Sequence, residues 1–439
     1  MTLINHTTPT IPYTHQHTNK FYTPPNQQAA INALTRLENE RSEPILGSLL
    51  VPRPEFKSDW KSRKFHLQNL AKELLPKRQI VHKETGDLIT KNHAIKSCCH
   101  YGIPDRDVEI WKGAGDGSTH YRNVQTCKDV WVCAVCSSRI TERRAREIED
   151  ALSGSEFQTC MVTYTMRHSL ADSLPDTICV LQKAIREFKS GRWYQDLKEQ
   201  WGIVGTIKSL EVPRSFKNGW HPHIHELLVL RLKTVLSDQQ TAHLEKLMTE
   251  RWLKMLKKHG GSANMENGLN VTANAKDQYI AKFKKEPAKK FWTLAREVSK
   301  GAAKRVSKAG SLTPFQILEL SEHDDQMKAL FLEYAKAMKG KNQLVWSSGL
   351  RALLQLETDE SDDDEIGKDD ELVTAIPYDH WLAVVHQKQR AQLLKIAKEG
   401  TIKEVRLFIN ICLYRENAKI RTAPHVLMHR NHPEHGRYS

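Results

Sequence analysis

The sequence predicts an α+β fold. It has a sheet with helices on one face, preceded by a cysteine-rich, zinc-binding region and followed by a helical C-terminal region. Three observations lead there. Between residues 151 and 300, short runs of β-type residues alternate with stretches of helical period. Five of the eight cysteines, Cys98, Cys99, Cys127, Cys133 and Cys136, crowd one short segment of a 439-residue chain, too few for a disulfide scaffold but suited to a metal. From Thr313 to Leu354 the apolar residues recur at helical spacing.

Taken in order, residues 1–45 are polar, with scattered Pro and His and no sustained period, and read as a mobile arm. Residues 46–150 form the cysteine and basic-helix region. It opens with a helix over 58–75, whose Phe65, Leu67, Leu70 and Leu74 fall at helical intervals. After Cys136, a helix places Ile140, Ile148 and Leu152 on one side and Arg139, Arg143, Arg144 and Arg146 largely elsewhere. Residues 151–300 carry strands at Thr159–Met166, Ile203–Val212 and His221–Leu230. A helical pattern over Leu174–Trp193 separates the first two, and a Pro, Asn and Gly turn joins the last two. A helix over Ser237–His259 stops at Gly260-Gly261, and a short strand at Leu269–Thr272 precedes a helix over 275–300. Residues 301–356 read as a helical region and 357–371 as an acidic linker. Residues 372–439 read as a small helical region, with helices over Asp379–Ala397 and Ile402–Leu413 and a disordered His-rich tail. Cys160, Cys179 and Cys412 sit in apolar patterns and are expected in the core.

Charge points to a partner. Lys and Arg total 66 against 52 Asp and Glu, a net +14, which suits a polyanion such as nucleic acid. Residues 357–371 hold ten acids and one Lys, so the remainder has 65 basic and 42 acidic residues, or +23. That acidic run reads as a solvated linker, with an intramolecular DNA mimic as the other option. No apolar stretch is long enough for a membrane span and the N-terminus lacks a signal-peptide pattern, so a cytoplasmic protein with no membrane partner is expected.

The most specific signal is Trp220-His221-Pro222-His223-Ile224-His225-Glu226. On a strand, His221, His223 and His225 share one face, and Glu211 near the end of the preceding strand is placed to reach them across the hairpin as a further ligand for a divalent cation. The bland reading is a solvent-facing polar strand. Tyr279 and Lys282, at i and i+3, share one helical face. A tyrosine beside a lysine and a metal suits attack on a phosphodiester, with the DNA 5' end kept covalently. An ordinary amphipathic helix would show the same spacing. No GxxxxGK[ST] phosphate loop is present.

Together these elements resemble the rolling-circle plasmid replication initiators of the HUH endonuclease superfamily, over roughly residues 70–356. The resemblance rests on Met161–His168, on Gly219–His225, on Tyr279–Lys282, and on Gly310–Gln316, Phe331–Ala335 and Gly340–Leu350. It implies an antiparallel-sheet HUH endonuclease core, with His223 and His225 as the metal pair, His221 nearby, Tyr279 as the nicking nucleophile and Lys282 as its electrostatic partner. It also implies Mg2+ or Mn2+ as catalytic cofactor, plasmid or phage origin DNA as partner, and a host helicase and polymerase downstream. Some family members carry an acid four residues before the tyrosine, where this chain has Ala275. Strand closure is therefore open among Asp277, Glu286, Glu297, Tyr164 or another protomer.

Cys133 and Cys136 form a CxxC pair, Cys127 adds a thiol, and Cys98 or Cys99, next to His100, completes a tetrahedral Zn2+ site. Such a site would lock the basic helix for contact with the origin duplex through Arg139, Arg143, Arg144 and Arg146, with Lys284 and Lys285 as further phosphate contacts. Two other readings stand beside the initiator. One is a conjugative relaxase or single-strand transposase, and the other is a non-catalytic, zinc-stabilised DNA-binding regulator.

Overall fold

Apolar residues on both faces of the central strands decide the architecture. A computed structural model describes residues 60–82, 84–114, 117–152, 155–273, 310–356 and 370–422. The polar arm, the helix expected over 275–300 and most of the acidic run and His-rich tail lie outside the described residues.

In chain order, the cysteine region holds α1 (Trp60–Leu74), the hairpin β1 (Arg78–Val81) and β2 (Leu88–Lys91), a 3-10 turn (Ala94–Lys96), β3 (Val108–Lys112) and β4 (Thr119–Arg122). Then come α2 (Ala134–Leu152), β5 (Gln158–Tyr164), α3 (Leu174–Phe188), α4 (Gly191–Gln200) and β6 (Ile203–Glu211). The strands β7 (Arg214–Ser215), β8 (Gly219–Trp220) and β9 (His223–Leu230) lead to α5 (Asp238–Lys258) and β10 (Leu269–Ala273). Beyond residue 309 lie β11 (Ser311–Leu312), α6 (Pro314–Leu320), α7 (Asp325–Met338), β12 (Leu344–Trp346) and α8 (Leu350–Leu353). The last elements are β13 (Glu371–Ile376), α9 (Tyr378–His386), α10 (Arg390–Glu399) and α11 (Ile402–Thr422).

The central sheet has the order β10-β5-β9-β6-β12, with every neighbouring pair antiparallel. Register sorts its side chains. His225 pairs with Thr163 on one side and Ser209 on the other, and Leu227 pairs with Met161 and Ile207, so all six share one face. Ala145, Ile148 and Leu152 of α2 and Leu350 of α8 pack on the apolar end of that face. The opposite face carries Tyr164, which meets the rings of Phe188 at 5.4 Å and Trp252 at 5.2 Å, so α3 and α5 cover it.

Helices therefore flank the sheet on both faces, not on one as the sequence reading had it. The reason is legible in β9, whose Leu227-Leu228-Val229-Leu230 is buried throughout; a continuous apolar strand needs cover on both sides.

Local chemistry explains the element ends. Ser237 caps α5 through a capping box with Gln240, and Thr313 does the same for α6 with Gln316. The helical pattern over 174–193 is two helices, because the chain turns at Lys189–Ser190 and Gly191 takes a φ of +76°. Residues 344–346, expected within a helical region, instead form the sheet edge β12. Cys160 and Cys412 are buried as expected, whereas Cys179 is exposed.

The C-terminal segment joins the cysteine region. Strand β13 adds to β3 and β4 in a three-stranded antiparallel sheet, so Glu371, expected at the end of a linker, lies in a paired strand. Asp370 pairs with Arg122 at 3.3 Å. The hydroxyls of Thr119 and Tyr121 on β4 donate to the carbonyls of Leu394 and Arg390, each at 2.7 Å. No helix among the described residues is long and apolar enough to cross a membrane.

Candidate metal centres

The polar end of the α2-covered face gathers Glu211, His223 and His225. One ligand atom from each lies within 4.8 Å of the others; Glu211 and His225 are buried and His223 is partly buried. Glu211 Oε2 stands 3.2 Å from His223 Nε2 and 3.7 Å from His225 Nε2. Antiparallel pairing causes this, since Glu211 is the direct cross-strand partner of His223 and His225 lies two residues on.

Each ring is aimed by its other nitrogen. His223 Nδ1–H donates to the His221 carbonyl at 3.1 Å, and His225 Nδ1 meets Thr163 Oγ1 at 3.1 Å. The Nε2 atoms are thereby turned inward, as happens when a metal-ligating histidine is held through its other ring nitrogen. Burial alone would raise the Glu211 carboxyl, but the His223 and His225 imidazoles beside it hold it far below the usual carboxylate range. His225 Nε2 and Ser209 Oγ are buried with no hydrogen-bond partner among the described residues. Two inward imidazole nitrogens, one of them orphaned, and a carboxylate oxygen fit a divalent cation with open coordination positions.

His221 lies outside this set. Its ring packs edge-on against His168, with Nδ1 3.1 Å from His168 Nδ1. Motif residues 163–168 thus serve the histidine strand in turn: Thr163 meets His225, Tyr164 meets Glu226 and His168 meets His221.

Tyr164 faces away from the metal ligands. Its hydroxyl donates to the buried Glu226 at 2.9 Å, Lys189 pairs with the same carboxylate, and burial together with Glu226 pushes the phenol well above its usual pKa. A buried phenol behind the sheet cannot act as a second nucleophile. Glu333, which lies in the Phe331–Ala335 match but was given no role there, accepts from Trp220 Nε1 at 2.9 Å and from the Leu174 backbone N–H at 3.0 Å. It ties the metal motif and α3 to α7.

The second centre is built from Cys98, Cys127, Cys133 and Cys136, whose sulfurs lie within 4.8 Å of one another. Three of the S···S distances are 3.5, 3.6 and 3.7 Å. A tetrahedral tetrathiolate with Zn–S near 2.3 Å has edges of about 3.8 Å, so the four sulfurs fit a metal of that size. Cys98 follows the 3-10 turn, and Cys133 and Cys136 flank the first turn of α2. Burial would raise the Cys133 thiol, yet the hydrogen bonds of Cys127, Cys136 and Cys98 take it well below its usual value.

Cys99 is not in the cage. Its backbone adopts φ +48° and its carbonyl accepts from Arg390 at 2.9 Å, and the four-sulfur cluster takes Cys98 instead.

A family model described as replication protein matches residues 118–392, more than half of the chain. The chain belongs to that family. It is the family of plasmid rolling-circle initiators that the motifs resemble, and the antiparallel sheet bearing the histidine strand fits the HUH superfamily. The chain is similar to "Protein rep" of Streptomyces lividans, 24% identical over 325 residues that cover 57% of this chain and 68% of that protein. It is also similar to a "Neomycin resistance protein" of Streptomyces cyanogenus, 27% identical over 158 residues, 30% of this chain and 36% of that protein. No solved structure matches.

In this replication protein, Tyr279, Lys282, Lys284 and Lys285 lie outside the described residues, as do Asp277, Glu286 and Glu297. On α2, Arg139 and Arg146 are exposed and Arg143 half-buried. Arg146 stands 3.9 Å from Glu142, and Arg144 donates to the buried Gln343 at 2.7 Å, tying the basic helix to the segment before β12.

Proposed function

We propose that this chain nicks one strand of a double-stranded plasmid or phage origin by tyrosine transesterification and stays attached through a 5'-phosphotyrosine. The observation that carries the reading is the inward-facing Glu211, His223 and His225 set in a chain of the replication protein family. A divalent cation bound there, Mg2+ or Mn2+, would polarise a phosphodiester oxygen. Glu211 supplies the hard oxygen ligand, His223 a nitrogen held in the ligating tautomer by the His221 carbonyl, and His225 a nitrogen oriented by Thr163.

Tyr279 is the proposed nucleophile. Its oxygen loses a proton and bonds to phosphorus, the P–O3' bond breaks, and the 3' oxygen takes up a proton to become the primer hydroxyl. Lys282 favours the phenolate by its charge. Reach supports this assignment. Ala273, the last residue of β10, pairs with Cys160, while His225 pairs with Thr163. Ala273 is thus about 10 Å along the sheet and about 10 Å across it from His225, and the six residues to Tyr279 span up to about 20 Å.

The cysteine cage, in this reading, holds structural Zn2+ and fixes the start of α2, whose Arg139, Arg143 and Arg146 meet backbone phosphates while Arg144 stays on Gln343. Lys284 and Lys285 add further phosphate contacts, and host helicase and polymerase use the 3' end.

The test is a supercoiled origin plasmid incubated with the protein and Mn2+. Wild type should relax it and leave a proteinase-sensitive block at the 5' end. Tyr279→Phe should bind the origin without forming an adduct; cutting by that variant would remove Tyr279 from its role. His223→Ala should lose metal-dependent cleavage and keep duplex affinity. Retardation without nicking by wild type would favour the regulator.

A further inference from the structure

Behind the cysteine cage lies a buried cation that the nicking reaction does not use. Arg390 on α10 is only 2% exposed. Its hydrogen bonds go to neutral acceptors: Gln68 Oε1 at 2.7 Å, the Cys99 carbonyl at 2.9 Å and Asn69 Oδ1 at 2.8 Å. The guanidinium also sits 4.7 Å from the Phe65 ring centroid. Among the described residues no carboxylate pairs with it, and a buried cation without a counter-charge is costly.

Gln68 shows where the counter-charge lies. Arginine only donates, so the Gln68 oxygen must face Arg390 and its NH2 must face the cage. That NH2 stands 3.2 Å from Cys98 Sγ and 3.3 Å from Cys133 Sγ, which makes both sulfurs acceptors, as thiolates are. On the same side Lys72 Nζ donates to the Cys98 carbonyl at 2.7 Å. Four thiolates around a divalent ion leave a dianion, and Arg390 and Lys72 together carry the matching charge.

We infer that Arg390, relayed through Gln68 and joined by Lys72, is the buried counter-charge of a metal tetrathiolate at Cys98, Cys127, Cys133 and Cys136, so that metal loading and docking of residues 370–422 stabilise each other. The inference rests on the cage holding a divalent metal. Arg390 arrives on the C-terminal segment, which also meets this layer through Trp381 Nε1 on the His100 carbonyl at 3.0 Å and through β13 on β3. Coupling of this kind is reciprocal: what metal does for docking, docking does for metal.

The test uses the full chain purified with its metal. Metal is counted first, and then competed away with a chromophoric chelator. R390M should release zinc at a chelator concentration about tenfold or more below wild type, the range typical of lost outer-shell partners. R390K should recover part of that loss, and K72M should shift release the same way. Hydrogen exchange across β13–α11 should rise when wild-type metal is stripped. Unchanged release by R390M, or R390K as weak as R390M, overturns the counter-charge. Unchanged exchange on stripping overturns the coupling. If R390M does not fold, Q68L is read instead, and release equal to wild type overturns the relay. A purified chain with no cage metal would sink the cage reading itself, which the metal count separates from the other outcomes.

Discussion

Thr163 aims a candidate metal ligand without being one. Its hydroxyl meets His225 Nδ1 at 3.1 Å, which leaves Nε2 as the inward atom. Thr163→Val keeps the shape and removes that partner, so divalent-metal affinity at the triad should fall about tenfold, within the range seen when a hydrogen-bond partner of a ligating histidine is lost. Titration of Mn2+ into the variant, by calorimetry or electron paramagnetic resonance, checks it. At this scale the ligands themselves were legible, because an HxHxH run on a strand and an acid at the end of the preceding strand require only pleat geometry. Thr163 was not, since a threonine in an apolar strand looks like any other β-former. The choice of Cys98 over Cys99 was equally hidden. It depends on the left-handed backbone of Cys99, which turns that residue's carbonyl to Arg390.

Elements place these residues through a few close approaches. Gly219 opens the metal motif with φ +79°, and a Cβ there would stand 2.7 Å from the Ser169 carbonyl oxygen. Gly219→Ala should therefore cost about 1–3 kcal/mol, read as a lower denaturant midpoint. The same backbone clash should loosen the turn into β9 and weaken metal binding with it. Strands β5, β6, β9 and β10 and helix α5 followed from period and capping, with boundaries close to those expected. The edge strand β12 and the two-sided cover of the sheet did not, because a three-residue strand carries too little period to be seen and a buried apolar run does not name its partners.

Across the whole molecule, the two ends of the described chain meet around the cysteine layer, and that gives a pH dependence. Burial, with Arg122 beside it, lowers His120 to about 4, while Asp370 at 3.8 Å pulls the other way. An unfolded histidine titrates near 6.5. Between these values the unfolded chain binds a proton that the folded chain refuses, so the contribution is complete above about pH 6.5 and is lost as pH falls towards 4. Urea midpoints at pH 7 and 4.5 should show the decline. His120→Gln should flatten it, and an unchanged slope in that variant would assign the decline to other groups.

Local order along the chain was sufficient for the family, the strand carrying the histidines and the crowding of the cysteines, because each rests on spacing that a strand or a helix turn converts directly into neighbours. Long-range encounter settled the remainder: Glu333 reaching Trp220, Arg390 reaching Gln68, and β13 joining β3. Those contacts join residues more than 100 positions apart, and their free energy comes from burying partners together, which no local pattern records.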